Sequence, residues 1–157
     1  MRLALAVGVA AAVAMTALVG WLGYRSYESH QALDKRNLFV EVARQGAVYL
    51  TTISFTEADA DVARILDSAT GTFHDDFQNR SQPFIDVVKQ AQTKTEGTVG
   101  EAGLESEDGD TARVLVAVTV KTSNAGVPQQ APRSWRLRID VQKHGDGAKV
   151  SNVGFVP

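Results

Sequence analysis

His74, Asp75 and Asp76 stand together in the run ILDSATGTFHDDFQNR, residues 65–80, with phenylalanines on both sides. An imidazole beside carboxylates is the raw material of proton shuttling near neutral pH, and both groups ligate metals. Either chemistry requires the side chains to converge. The surrounding pattern is helical, and on a helix successive side chains point about 100° apart, so His74 and Asp75 are expected to diverge. A helical metal pair uses positions i and i+3 or i+4. From His74 those positions hold Thr70, Gly71, Phe77 and Gln78, none a usual ligand. Asp76 has Arg80 four residues on, the favoured order for a surface ion pair, while Phe73 and Phe77 share a face and read as core. The trio is therefore expected to be a solvated helix face.

Other chemistry is thinner still. His30 precedes the first amphipathic segment and His144 adjoins a glycine turn. Asp140, the one acid in the strongest later strands, alternates with Arg136, Arg138 and Gln142, which fits an exposed, arginine-balanced position better than a general base. There is no Gly-x-Ser-x-Gly, phosphate-binding glycine loop or His-Glu-x-x-His. With no cysteine among 157 residues, disulfides and thiolate chemistry are excluded. A net charge of −2 lacks the basic excess of a nucleic-acid binder. No catalytic residue, metal ligand or cofactor-binding residue is assigned.

The elements that would position any site fall into three parts. Leu3 to Tyr24 holds 22 residues without a charge. About 20 apolar residues cross the roughly 30 Å hydrocarbon core as a helix. Residues 1–24 are thus expected to be an uncleaved transmembrane anchor; the run is longer than the apolar part of a signal peptide, the competing reading. Trp21 and Tyr24 suit the headgroup level at its far end. Ala4, Gly8, Ala12, Thr16 and Gly20 recur every four residues, a small-residue stripe on which a partner helix could pack. Arg25, Lys35, Arg36 and Arg44 follow the run whereas only Arg2 and the terminal amine precede it; counted literally this favours a cytoplasmic domain, but long domains translocate largely regardless of charge. Charge leaves the side open.

Residues 25–37 are expected to form a helical stalk, and residues 38–157 an α+β domain. Phe39, Val42, Ala43, Gly46, Leu50 and Ile53 follow one helical face, with Gly46 permitting close packing. Thr56 and Asp59 resemble a capping box ahead of Val62, Ile65, Leu66 and Ala69. Gly71 interrupts that run. A short helix over 72–80 and another starting at Ser81–Pro83, with Phe84, Val87, Val88 and Ala91 buried, are predicted next. Beyond Lys94 the period becomes two. VGEAGLESE is a weak strand, ARVLVAVTVKTS a central one with Val114, Val116, Val118 and Val120 on one face, and RSWRLRIDVQK alternates with Trp135, Leu137, Ile139 and Val141 inward. A turn at Gly145–Gly147 leads to AKVSNVGFV. Helices followed by consecutive strands predict helices packed on one face of a curved antiparallel sheet of about four strands. Glu96, Glu101, Glu105, Glu107, Asp108 and Asp110 come before Arg133, Arg136, Arg138, Lys143 and Lys149. Such segregation points to cross-strand pairing on a wet face, or to a protein-docking surface.

The blocks ARQGAVYLTTI, ILDSATGTFHDDF, VLVAVTVKTSN and PRSWRLRIDVQKHGDGAKVSNVGFV resemble the Mce-associated membrane proteins of mycobacteria and related actinobacteria, RILDSATGTF being the most specific part. The resemblance covers nearly everything from the apolar segment onward. It implies an N-terminal membrane anchor, an extracytoplasmic cystatin-like or NTF2-like domain, and association with the subunits of an Mce lipid-uptake transporter as an accessory, non-enzymatic subunit of the cell envelope. It carries no catalytic residues. Two rivals remain open: a lipid-binding module holding an apolar ligand on the concave sheet face, and an NTF2-like enzyme with a buried acid or histidine.

Overall fold

A computed structural model describes residues 31–127 and 130–156, with Met15, Gly20 and Trp21 besides. The chain divides into two compact units, Met1–Asn37 and Leu38–Pro157. In the first, Met15, Gly20, Trp21 and residues 31–37 are helical. Most of the apolar run, Ala4, Gly8, Ala12 and Thr16 of its stripe, and His30 lie outside the described residues. Gly20 has open space where a side chain would stand. Among the described residues no helix is long and apolar enough to cross a membrane.

The second unit begins with helical residues 38–51, here α1. There follow β1 (Ile53–Ser54), α2 (Ala58–Ser68), α3 (Gly71–Gln90), β2 (Lys94–Asp108), β3 (Thr111–Ser123), β4 (Arg133–His144) and β5 (Gly147–Phe155). The sheet is antiparallel in the order β1-β2-β3-β4-β5, so each strand lies beside its predecessor. Five strands stand where about four were expected. The addition is Ile53–Ser54, which the helical pattern of α1 had absorbed; Ile53 N donates to Thr95 Oγ1 at 3.1 Å. The two hairpins β2–β3 and β4–β5 close over Gly109–Asp110 and Gly145–Asp146. Gly109 (φ +53°) and Gly145 (φ +59°) take the left-handed first position, the arrangement that matches strand twist in two-residue turns.

One face of the sheet is the core. Phe39, Ala43 and Ala47 of α1 are fully buried against Val114, Val116, Val118, Leu137, Ile139, Val141 and Val150. Small residues on α1 let its axis come close: a Cβ on Gly46 would stand 2.7 Å from Val150 Cγ2. A second core joins Ile53, Ala58, Val62, Ile65, Ile85 and Val88, and Phe73 packs against both.

The helices depart from expectation in three ways. The capping box does not form: Glu57, not Thr56, caps α2 and makes no side-chain bond, while Thr56 Oγ1 pairs with Ser54 Oγ at 2.8 Å. Asp61, in the acidic first turn of α2, is buried and receives Ser54 N–H at 2.7 Å and the Arg64 guanidinium. Residues 72–80 and the segment from Ser81 are one helix, with Pro83 inside it. The proline removes one N–H, yet the tilted rings of Phe77 and Phe84 meet across it at 6.0 Å, and the side chains at 73, 77, 85 and 88 keep a single apolar line. Continuity also shifts the buried phase. Val88 is buried as expected, but its buried partner is Ile85, whereas Phe84, Val87 and Ala91 of the expected face are exposed.

Gly46→Ala gains about 1 kcal/mol of helix propensity but overpacks a site whose neighbour is fully buried, at a typical cost of about 1–3 kcal/mol. Net destabilisation is expected by urea unfolding. In a double-mutant cycle the penalty should shrink or reverse in the Val150→Ala background; equal penalties in both backgrounds would refute the close approach.

Candidate functional site

His74 and Asp75 do meet, contrary to expectation: Nδ1 and Oδ1 are 3.1 Å apart. Adjacent side chains on the first turn of α3 both lean into solvent, and rotation at their tips closes the gap between diverging Cβ directions. The contact builds no reaction centre, because the Asp75 side chain is 76% exposed. His74 instead borders a groove of about 490 Å³ with Asp67 and Lys149, neighbours that the i, i+3 and i+4 spacing does not reveal. Among the described residues no group of three His, Asp or Glu side chains is placed to hold a metal.

The solvent face of the sheet carries an ordered charge ladder. Arg138 clasps Glu105 through two bonds, Nε to Oε2 at 3.1 Å and Nη2 to Oε1 at 3.0 Å, reaching across β3. Arg113 Nε donates to Asp140 Oδ1 at 2.7 Å, and Asn152 Nδ2 to Oδ2 at 3.2 Å. The Arg113 hydrogen bond, outweighing partial burial, holds the Asp140 carboxyl below its ordinary value, and Asp140 raises Arg113 in return. Asp140 is thus arginine-balanced as expected, but its main partner is Arg113 of β3, its registered neighbour, rather than Arg136 or Arg138. A carboxylate kept ionised by a guanidinium is a poor proton acceptor at neutral pH. Between the helices Lys89 Nζ donates to Asp59 Oδ2 at 2.5 Å, which lowers the exposed Asp59.

The helix side of the sheet has a different character at its open end. α1 stops at Thr51, and the strands run on. Trp135, expected to face inward with Leu137, Ile139 and Val141, does share their face but is 42% exposed because no helix covers it. Its ring meets that of Phe155 edge-on at 5.6 Å. Below this pair lies a cleft of about 420 Å³ lined by Leu50, Thr51, Phe73, Thr95, Val120, Trp135, Leu137, Val153 and Phe155. No charged side chain lines it. The alternation of β4 marked Trp135; nothing local in the sequence marked Phe155, Thr95 or Leu50 as its companions, because they come together only through strand order and the end of α1.

A five-stranded antiparallel meander with helices packed against it defines an α+β domain. The fold is similar to the periplasmic domain of DotI (TM-score 0.63, 14% identity, 75% of this chain and 92% of that one). It is similar too to an IcmL-like type IV secretion system protein of Legionella pneumophila (0.60, 13%, 75% and 89%) and to CagV, a VirB8 homolog of Helicobacter pylori (0.57, 10%, 74% and 95%). At such identities the likeness concerns the fold. The chain belongs to the family described as "Uncharacterized protein Rv1363c/MT1408-like", whose model matches residues 1–157. It is 39% identical over 159 aligned residues to the "Uncharacterized protein Rv1363c" of Mycobacterium tuberculosis, and it spans 61% of that relative's length. The mycobacterial kinship drawn from the sequence blocks is met; the family description does not mention Mce.

Because Asp140 has a depressed value in the folded chain, its contribution is present above the ordinary carboxylate value near 3.8 and is lost as pH falls through it toward the lower folded value. The wild type is expected to lose stability more steeply than Asp140→Asn between about pH 5 and about pH 2, by no more than roughly 1 kcal/mol, since the guanidinium of the pair is screened by solvent. Parallel denaturant melts across that range would show identical slopes if the pair contributes nothing.

Proposed function

We propose that this chain is a non-enzymatic accessory subunit of an Mce lipid-uptake transporter. Residues 1–24 tether it in the bilayer as a single span, residues 25–37 form a stalk, and residues 38–157 stand outside the cytoplasm as a contact domain. The observation that carries a contact role is the disposition of the ionisable groups. Asp140, Arg113, Glu105 and Arg138 are committed to one another on an exposed sheet face, His74 and Asp75 to each other at the surface. None of them lines the apolar cleft, the site where burial would tune an acid or base. An exposed, ordered ladder of alternating sign is suited to orienting a partner and excluding wrong ones. Support for the setting comes from the quoted blocks that resemble Mce-associated proteins, and from the fold it has in common with a periplasmic domain of DotI and with components of type IV secretion systems. The stripe Ala4, Gly8, Ala12, Thr16 and Gly20 would pack on a transporter helix.

A mild-detergent pull-down of the tagged full-length chain, under conditions that keep the transporter intact, is expected to recover Mce subunits. Recovery without them refutes the assignment. Gly8→Leu combined with Ala12→Leu is expected to lower that recovery several-fold while the thermal midpoint of the outer domain stays unchanged. Undiminished recovery removes the stripe from the interface.

A further inference from the structure

The uncovered end of the helix-side sheet face has the make-up of a ligand site. Its floor is Val120, Leu137 and Val153, its walls are Leu50 of α1 and Phe73 of α3, and its mouth is the Trp135–Phe155 pair. Phe155 is 71% exposed and Trp135 42% exposed, although Trp135 stands in phase with the fully buried Ile139 and Val141, and Phe155 is registered opposite the buried Leu137. Large aromatic rings left in water beside a concave apolar surface are costly, and an occupant would recover that area at about 25 cal/mol per Å². A volume of about 420 Å³ falls in the range of small-molecule pockets, and apolar walls with few polar groups are their usual make-up.

The polar groups narrow the class of ligand. No Lys, Arg, Asp, Glu or His lines the cleft, so the enclosed part of the ligand is uncharged. Thr51 directs its hydroxyl to Ala47 O at 2.6 Å. Thr95 Oγ1 is already an acceptor, taking the Ile53 N–H at 3.1 Å, so its own proton remains to be donated. The indole N–H of Trp135 can also only donate. The site therefore offers donors and asks for an acceptor, such as an ester or carbonyl oxygen, next to a hydrocarbon body.

We infer that this cleft binds the acyl part of a neutral lipid, the chain against Val120, Leu137 and Val153 and an ester or carbonyl oxygen near Thr95 or Trp135. The polar headgroup lies outside the mouth. The inference stands on the cleft alone and is independent of the Mce assignment.

Trp135 is itself the reporter, since Trp21 is the other tryptophan and Trp21→Phe removes it. The full-length Trp21→Phe chain in phospholipid nanodiscs is titrated with a dibrominated monostearoylglycerol, whose bromines quench tryptophan on contact. Saturable quenching at one probe per chain is expected. Phe155→Ser, at a position exposed enough to leave folding intact, should weaken it about tenfold, as truncation of an aromatic anchor does. Val153→Phe, which fills the floor, should weaken it as well; circular dichroism checks both folds. Quenching that rises only in proportion to probe in the membrane overturns the inference. So does saturable quenching that both substitutions leave untouched.

Discussion

The close approach of α1 to the sheet governs how the whole domain is packed. Ala43, Gly46 and Ala47 present almost no side chain, and Val150 fills the space where a Cβ on Gly46 would be. A second close contact fixes the far end of the helix: a Cβ on Gly97 would fall on the Thr51 side chain, and Gly97 N donates to Thr52 Oγ1 at 3.2 Å. Helix and sheet are thereby held at two points, one on β5 and one on β2. Dense packing between them tolerates little change of volume. Just past that contact the chain leaves α1 for β1, and no helix covers Trp135 and Phe155. The same geometry that seals one half of the sheet face leaves the other half open.

The two sheet faces divide the labour. The covered face gathers valine, leucine and isoleucine, and the solvent face gathers Glu105, Arg113, Arg138 and Asp140 into paired charges. Exposed pairs of this kind add little stability. Their effect is to fix a pattern of sign on the surface, with Asp140 held ionised between Arg113 and Asn152. The buried carboxylate of Asp61 has a structural role. It satisfies the backbone of Ser54 where the chain leaves β1 for α2, and the Arg64 guanidinium balances its charge.

Legibility in the sequence tracked the range of the interactions. Periodicity located β3, β4 and the buried face of α1, because a regular element repeats its burial along the chain. Gly46 announced close packing since an interior glycine is otherwise costly. The bound between α1 and β1 was hidden, as Ile53 fits the helical phase and its strand exists only through β2. Pro83 pointed to a helix start, but tertiary packing of Phe73, Phe77, Ile85 and Val88 carries α3 straight through it. The cleft was beyond reach for a related reason. Its wall residues come from α1, α3 and four strands, and only the registers of β2 through β5 bring them together.

Strand order equal to chain order has a kinetic consequence. Each hairpin of the meander closes locally, two of them over glycine–aspartate turns, so β2 to β5 can zip in succession at small loop-closure cost. α1 is the opposite case: it comes first in the domain, yet Val150, which fills the space beside Gly46, belongs to the final strand. The contact with β2 can form early, but the helix can seat fully only once β5 is in place. Until then Phe39 and the valine face stay bare, which makes late docking of α1 the step at which a nascent chain is most open to self-association.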